Sequence, residues 1–194
     1  MVRGARPEKI KLSWQLKIEL LDVKPTVWRR IVVPEEIKLP KLDRVIQAVF
    51  GWTNSHLHEF VIGGVRYANG DEDLAEELDQ VDETDVVLVK ALGLDARCFD
   101  YVYDFGDDWH HVVMVEDQHV YDPKSKATLR CLAGEGACPP EDVGGAQGYA
   151  GFLEATADKN HEEHKSYLSW VGGSFDPTRF DVQHANRALA KIKT

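Results

Sequence analysis

The chain has 194 residues, 43% of them hydrophobic, with five Trp, six Tyr and seven Phe, enough to bury one core and too aromatic for disorder over most of its length. Its formal net charge of −10 argues against a nucleic-acid backbone as the main partner, because phosphate binding needs clustered Lys and Arg. No apolar run reaches the ~18 residues of a membrane span, the N-terminus carries no apolar targeting stretch, and three cysteines are too few for a disulfide scaffold, so a cytoplasmic protein without membrane contact is expected.

Residues 1–12 read as a basic flexible arm. Trp14, Leu16, Ile18 and Leu20 then alternate with Gln15, Lys17 and Glu19, the period of a strand with one buried face. Asp22 to Thr26 turns the chain, and Val27 to Val33 predicts an antiparallel return strand ending at Pro34. Leu42, Val45, Ile46, Val49 and Phe50 recur with helical spacing behind Pro40, and Gly51 stops that helix. A strand is expected over His56 to Ile62, with Gly63-Gly64 as a two-residue hairpin turn and a return strand through Tyr67.

From Asp71 to Asp85 there are nine acidic residues and no basic one. This reads as a solvated loop or short helix, with a docking surface for a basic partner as the alternative. Val86 to Leu92 predicts an apolar strand. Phe99, Tyr101, Tyr103 and Phe105 alternate along the next, with Cys98 as a small core residue at its start. Gly106-Asp107-Asp108 turns the chain, and Trp109 to Glu116 runs back. Residues 117–148 form a long irregular loop, and such loops are usually functional or disordered. Helices close the chain around Phe152, around Tyr167 to Val171, and after Asp181 as a cap, with Asp176-Pro177 as a helix-start pair.

The expected fold class is α+β. A β-grasp-like mixed sheet with one packed helix, extended by an antiparallel meander, occupies 13–146. C-terminal helices packed on that core occupy 147–194.

The densest functional signal is Tyr101 to His111, with three aspartates and two histidines in eleven residues. On the preceding strand, alternation puts His56, His58, Phe60 and Ile62 on one face. After the turn, Trp109, His111, Val113 and Val115 share a face. Histidines on apolar faces are most simply neutral core residues, each hydrogen-bonded, with Asp104 or Asp107 as an orienting carboxylate. The sharper alternative is a divalent metal such as zinc held by His58, His111 and either Cys138 or an acidic residue. Gly144-Gly145 could bind an anion at a helix start, although Glu141 and Asp142 would repel it. Ser55 and His56 are neighbours on a strand and cannot form a dyad, so no catalytic residue is assigned. The expected lining of a recognition cleft is His56, His58, Asp104, Asp107, Asp108, Trp109, His111, Glu141 and Asp142.

Several stretches together resemble one family. They are Leu16-Lys17-Ile18-Glu19-Leu20, Val27-Trp28-Arg29-Arg30, Val45 to Trp52, His56-Leu57-His58-Glu59-Phe60, Tyr103 to Trp109, and Cys138-Pro139-Pro140-Glu141-Asp142-Val143-Gly144-Gly145. The chain resembles the plasmid pRiA4b ORF-3-like proteins of prokaryotes over roughly Leu12 to Leu189. The resemblance implies an α+β fold with a β-grasp-like core and supplies no mechanism, since members are largely uncharacterised. Resolvase or repressor labels carried by some find no arginine-flanked serine nucleophile and no helix-turn-helix here. Val143 stands where members often have a cysteine, which weakens a cysteine-rich metal reading.

The expected function is a non-enzymatic binding or interaction module, with a protein partner or small ligand favoured over nucleic acid. One alternative is a metal-dependent hydrolase or nuclease-like enzyme with Glu141 or Asp107 as base. Another is a DNA- or mobile-element-associated protein that uses the basic arm.

Overall fold

Period-two alternation builds the sheet. In the computed structural model, which describes residues 11–69, 79–93, 97–121 and 129–192, Trp14, Leu16, Ile18 and Leu20 of β1 (Lys11–Leu20) are buried. β1 pairs antiparallel with β2 (Val27–Pro34), whose Val27, Arg29, Ile31 and Val33 turn to the same buried side. The other strands are β3 (His58–Ile62), β4 (Val65–Ala68), β5 (Gln80–Asp82), β6 (Cys98–Tyr103), β7 (Trp109–Tyr121) and β8 (Arg130–Glu135). They form one eight-stranded sheet in the order β5-β4-β3-β6-β7-β1-β2-β8. Among the described strands, only β4 and β5 pair in parallel. Gly63 and Gly64 sit at φ 60° and 81°, the positive pair that a two-residue hairpin turn requires.

The helix α1 (Leu39–Phe50) lies on the buried side of the sheet. Leu42, Val45, Ile46, Val49 and Phe50 are buried, and Gly51 ends the helix at φ 106° with its N–H on the Gln47 carbonyl. The same helix face buries Asp43 and Gln47. Beyond it lie α2 (Leu88–Leu92), α3 (Gly145–Ala157), α4 (His164–Trp170) and α5 (Val182–Leu189). Asp181 caps α5 by accepting from the N–H groups of Gln183 and His184 at 2.8 and 2.9 Å. The far side of the sheet is polar: Arg30 grips Glu116 with two bonds of 2.6 and 2.7 Å beside Trp28.

Several expectations are corrected. Residues 86–92 form no strand: Val87 makes one isolated bridge to Lys38, and the chain then coils into α2. The long loop is shorter than its expected 117–148, because β7 runs on to Tyr121 and β8 pairs with β2. Cys131 is therefore a buried strand residue. Cys98 is exposed, since Phe99, Tyr101 and Tyr103 claim the inward positions of β6. Phe105 is exposed as well, because the turn starts at Asp104 and ends the alternation. Asp176-Pro177 opens a turn rather than a helix.

The β-grasp reading holds only for the coarse parts list of hairpin, helix and sheet. β6 and β7 separate β3 from the first hairpin, and β1 has antiparallel partners on both sides. Of the basic arm, residues 1–10 lie outside the described residues, while Lys11 and Leu12 already belong to β1.

Candidate functional site

The turn after β6 is built by one aspartate. Asp104 takes φ 57°, and its Oδ1 accepts from the N–H groups of Gly106 at 3.0 Å and Asp107 at 3.3 Å, the side-chain turn chemistry that Asp favours. Asp107 then reaches across to the loop before α3, accepting from the Gly144 N–H at 3.1 Å. The approach is tight: a Cβ at position 145 would stand 2.5 Å from the Asp107 carbonyl oxygen. Gly145 also sits at φ 67°, so glycine is required on both counts. The protein's own Asp107 carboxylate thus takes the Gly144 N–H that an anion at Gly144-Gly145 would need.

Further contacts latch this loop to the end of α1, the entry to β3 and the end of β6. Trp52 Nε1 donates to the Pro139 carbonyl at 3.1 Å. Glu141 accepts from the Thr53 N–H at 2.7 Å, the Thr53 hydroxyl at 3.0 Å and the Tyr103 hydroxyl at 3.2 Å. His56 Nε2 stands 3.1 Å from Asp142 and 3.5 Å from Asp104. Of the nine residues expected to line a cleft, His56, Asp104, Asp107, Glu141 and Asp142 therefore meet around one loop. Asp108 is an exposed turn residue at φ 53°.

The other three serve the core. His111 is fully buried, with Nδ1 on the Tyr101 carbonyl at 3.1 Å and its ring edge-on to Phe50 and Trp52. Burial pushes its pKa down to about 3, so it is neutral at physiological pH. Trp109 is 1% exposed and stacks on Trp52. His58 bridges two buried carboxylates, with Nε2 3.1 Å from Glu83 and Nδ1 3.4 Å from Asp43. Burial opposes its protonation, yet the Glu83 hydrogen bond and the charge of Asp43 outweigh that and raise its pKa. Burial also raises the Asp43 pKa, against the pull of His58 and the Tyr101 hydroxyl.

Asp43, Gln47 and Glu83 had no sequence signal of function. The Tyr101 hydroxyl donates to Asp43 at 2.7 Å and accepts from Gln47 at 3.0 Å, and Gln47 accepts from the Asn54 N–H. Glu83 is fully buried, which corrects its reading as part of a solvated acidic segment. Residues 70–78 of that segment lie outside the described residues.

His58, His111 and Cys138 do not converge. Burial raises the Cys138 pKa well above the usual thiol range, unlike a thiolate poised to bind metal. Among the described residues, His56, Asp104 and Asp142 are the group of three whose ligand atoms lie within 4.8 Å of one another.

Beside the latched loop is a cavity of about 600 Å³. Phe50, Trp52, Phe175 and Phe180 wall it, and Glu141, Arg179 and His184 stand at its lining. Arg29 also borders it, 1% exposed and stacked 4.1 Å from the Phe180 ring. Its guanidinium donates to the carbonyls of Val49, Trp28, Glu135 and Gly136. Burial lowers its pKa to about 10, and it stays charged at neutral pH. In the sequence Arg29 figures only in the stretch Val27 to Arg30 that carries the family resemblance, with no role assigned, because a cation on an apolar strand face announces no chemistry of its own.

An eight-stranded, mostly antiparallel sheet carrying helices, with the Pro139–Asp142 loop latched to one end, defines the class of protein. Its family follows from comparison: a match to the plasmid pRiA4b ORF-3-like protein family spans residues 13–184, and the chain belongs to that family. It is 40% identical over 177 residues to the uncharacterized protein y4hQ of Sinorhizobium fredii, covering 90% of this chain and 89% of that one. It is also similar to the crystal structure of a protein of unknown function, MM3350 of Methanosarcina mazei Go1. That likeness has a TM-score of 0.79 at 33% identity and covers 90% of this chain and 98% of the other. No described helix is long and apolar enough to cross a membrane.

Proposed function

We propose that the protein is a non-enzymatic binding module whose ligand is a small planar molecule held in the cavity beside the latched loop. The observation that carries this reading is the cavity itself. About 600 Å³ lies within the ~300–1,000 Å³ typical of small-molecule sites, which combine apolar walls with a few placed polar groups. Phe175 and Phe180 present half-buried rings for stacking at its wall, and Arg179, His184 and Glu141 supply orienting polar groups. The loop contacts through Trp52, Thr53 and Tyr103 hold one wall in place before any ligand arrives, which lowers the cost of ordering it on binding.

A panel of planar aromatic carboxylates, amines and nucleosides tests the reading by thermal shift on the full chain. At least one class is expected to raise the melting temperature with saturation. Ser174→Trp, an exposed lining position, is expected to block the cavity and abolish that shift without changing the unliganded melting temperature. A shift that survives Ser174→Trp, or none across the panel, counts against the cavity.

A further inference from the structure

His56, Asp104 and Asp142 come from three separate parts of the chain: the segment before β3, the turn after β6 and the loop before α3. Each offers one ligand atom, and the three atoms lie within 4.8 Å of one another. His56 Nε2 is 3.1 Å from Asp142 Oδ1 and 3.5 Å from Asp104 Oδ2. Two ligand atoms each ~2.1 Å from one ion, at tetrahedral or octahedral angles, stand about 3.0–3.4 Å apart. Both spacings are close to those of neighbouring ligands.

A second observation is independent of the spacing. His56 Nε2 is shielded from solvent yet makes no hydrogen bond. Both carboxylate oxygens are close, at 3.1 and 3.5 Å, yet neither completes a hydrogen bond to that nitrogen, as expected of ligands that face a shared ion rather than each other. Asp104 is also fixed in its aim: its side chain is 10% exposed, and its Oδ1 is occupied by the N–H groups of Gly106 and Asp107, leaving Oδ2 toward His56.

The geometry points to a divalent-cation site formed by His56, Asp104 and Asp142, taking a first-row ion such as Zn²⁺ or Mn²⁺. One neutral imidazole and two carboxylates suit these ions, with water filling the remaining positions. The two carboxylate charges balance that of the ion, whereas without a cation their proximity is repulsive. Asp142 is 72% exposed, so the ion would tie an exposed residue of the loop to Asp104 and His56 at the end of the sheet. The adjacent Glu141 lines the cavity, so an occupied site would steady that wall. The cation site does not depend on the cavity having a ligand, and either can fail alone.

The test uses the full chain, free of affinity tags and stripped of metal, titrated with ZnCl₂ by calorimetry and with MnCl₂ by electron paramagnetic resonance. One equivalent is expected to bind, and bound Mn²⁺ is expected to show ¹⁴N coupling from an imidazole. Asp142→Asn and His56→Gln should each weaken binding at least tenfold, and His56→Gln should remove the ¹⁴N coupling. Asp108→Asn, an exposed carboxylate outside the group, should change neither. Because Asp142 is exposed, Asp142→Asn keeps the test valid even if His56→Gln fails to fold. No saturation below millimolar ion, no ¹⁴N coupling, or one equivalent that survives Asp142→Asn would overturn the site.

Discussion

Arg29 ties three parts of the chain together at the site. Its guanidinium makes four hydrogen bonds of 2.8 to 2.9 Å to main-chain carbonyls from β2, α1 and the end of β8. Arg29→Met would leave those carbonyls short of donors, each buried loss costing about 1–3 kcal/mol. A destabilisation of at least ~3 kcal/mol is expected in urea unfolding, with Arg29→Lys recovering only part, since an ammonium cannot reproduce the planar fork. His111 makes a separate prediction. Its folded pKa of about 3 lies below the ordinary histidine value near 6.5, so the unfolded chain binds a proton that the folded chain refuses. The His111 contribution is therefore complete above about pH 6.5 and is lost as pH falls from there toward about 3, with a slope of at most ~1.4 kcal/mol per pH unit. His111→Phe should flatten that part of the stability profile measured by denaturation at stepped pH. An unchanged slope would mean that His111 does not titrate this way. The burial of His111 was legible in advance because it alternates with Trp109 and Val113, although it was also expected to line the cleft and to hold a metal. Glu83 and Asp43 were not, because a buried carboxylate looks the same in sequence as a solvated one until its partner, here His58, is placed.

The short apolar run Val86 to Leu92 was misread because such a run has no period to separate strand from helix. Its backbone is claimed at one point by Lys38, and the rest coils. β8 was hidden for the opposite reason. Leu132, Ala133 and Gly134 give no alternation, and the register with β2 shifts beside Ile31. By contrast, α1, the Gly63-Gly64 hairpin and the Asp181 cap all follow from local chemistry and appear as expected. Asp181→Ala removes the acceptor for two N–H groups of α5 and should cost about 1 kcal/mol. α5 supplies His184 and Ala185 to the cavity, so the same variant should also loosen that wall. At the start of α3, Gly145→Ala combines a left-handed backbone with a clash on Asp107. It should cost more than ~1 kcal/mol and weaken the latch, seen as faster amide exchange at Gly144. Exchange and stability equal to the parent protein would show that the loop tolerates a side chain there.

Strand order lay beyond the sequence, since hairpin signals identify neighbours and not the long-range pairings of β1 with β7 or β2 with β8. The expected meeting of the Pro139–Asp142 loop with the His56 and Asp104 segments is present, but the aromatic cavity next to it is assembled from β2, α1, the loop and the C-terminal turns. No local pattern could announce it. The chain is thus a sheet that uses one end to fix a loop, and the loop walls a cavity. Amide and indole chemical-shift mapping of the labelled full chain, titrated with the planar aromatic panel, tests this most directly. Saturable shifts are expected on the Trp52 indole N–H, on residues 137–141 and on residues 175–184. Shifts confined to the polar outer face of the sheet, or none that saturate, would contradict it.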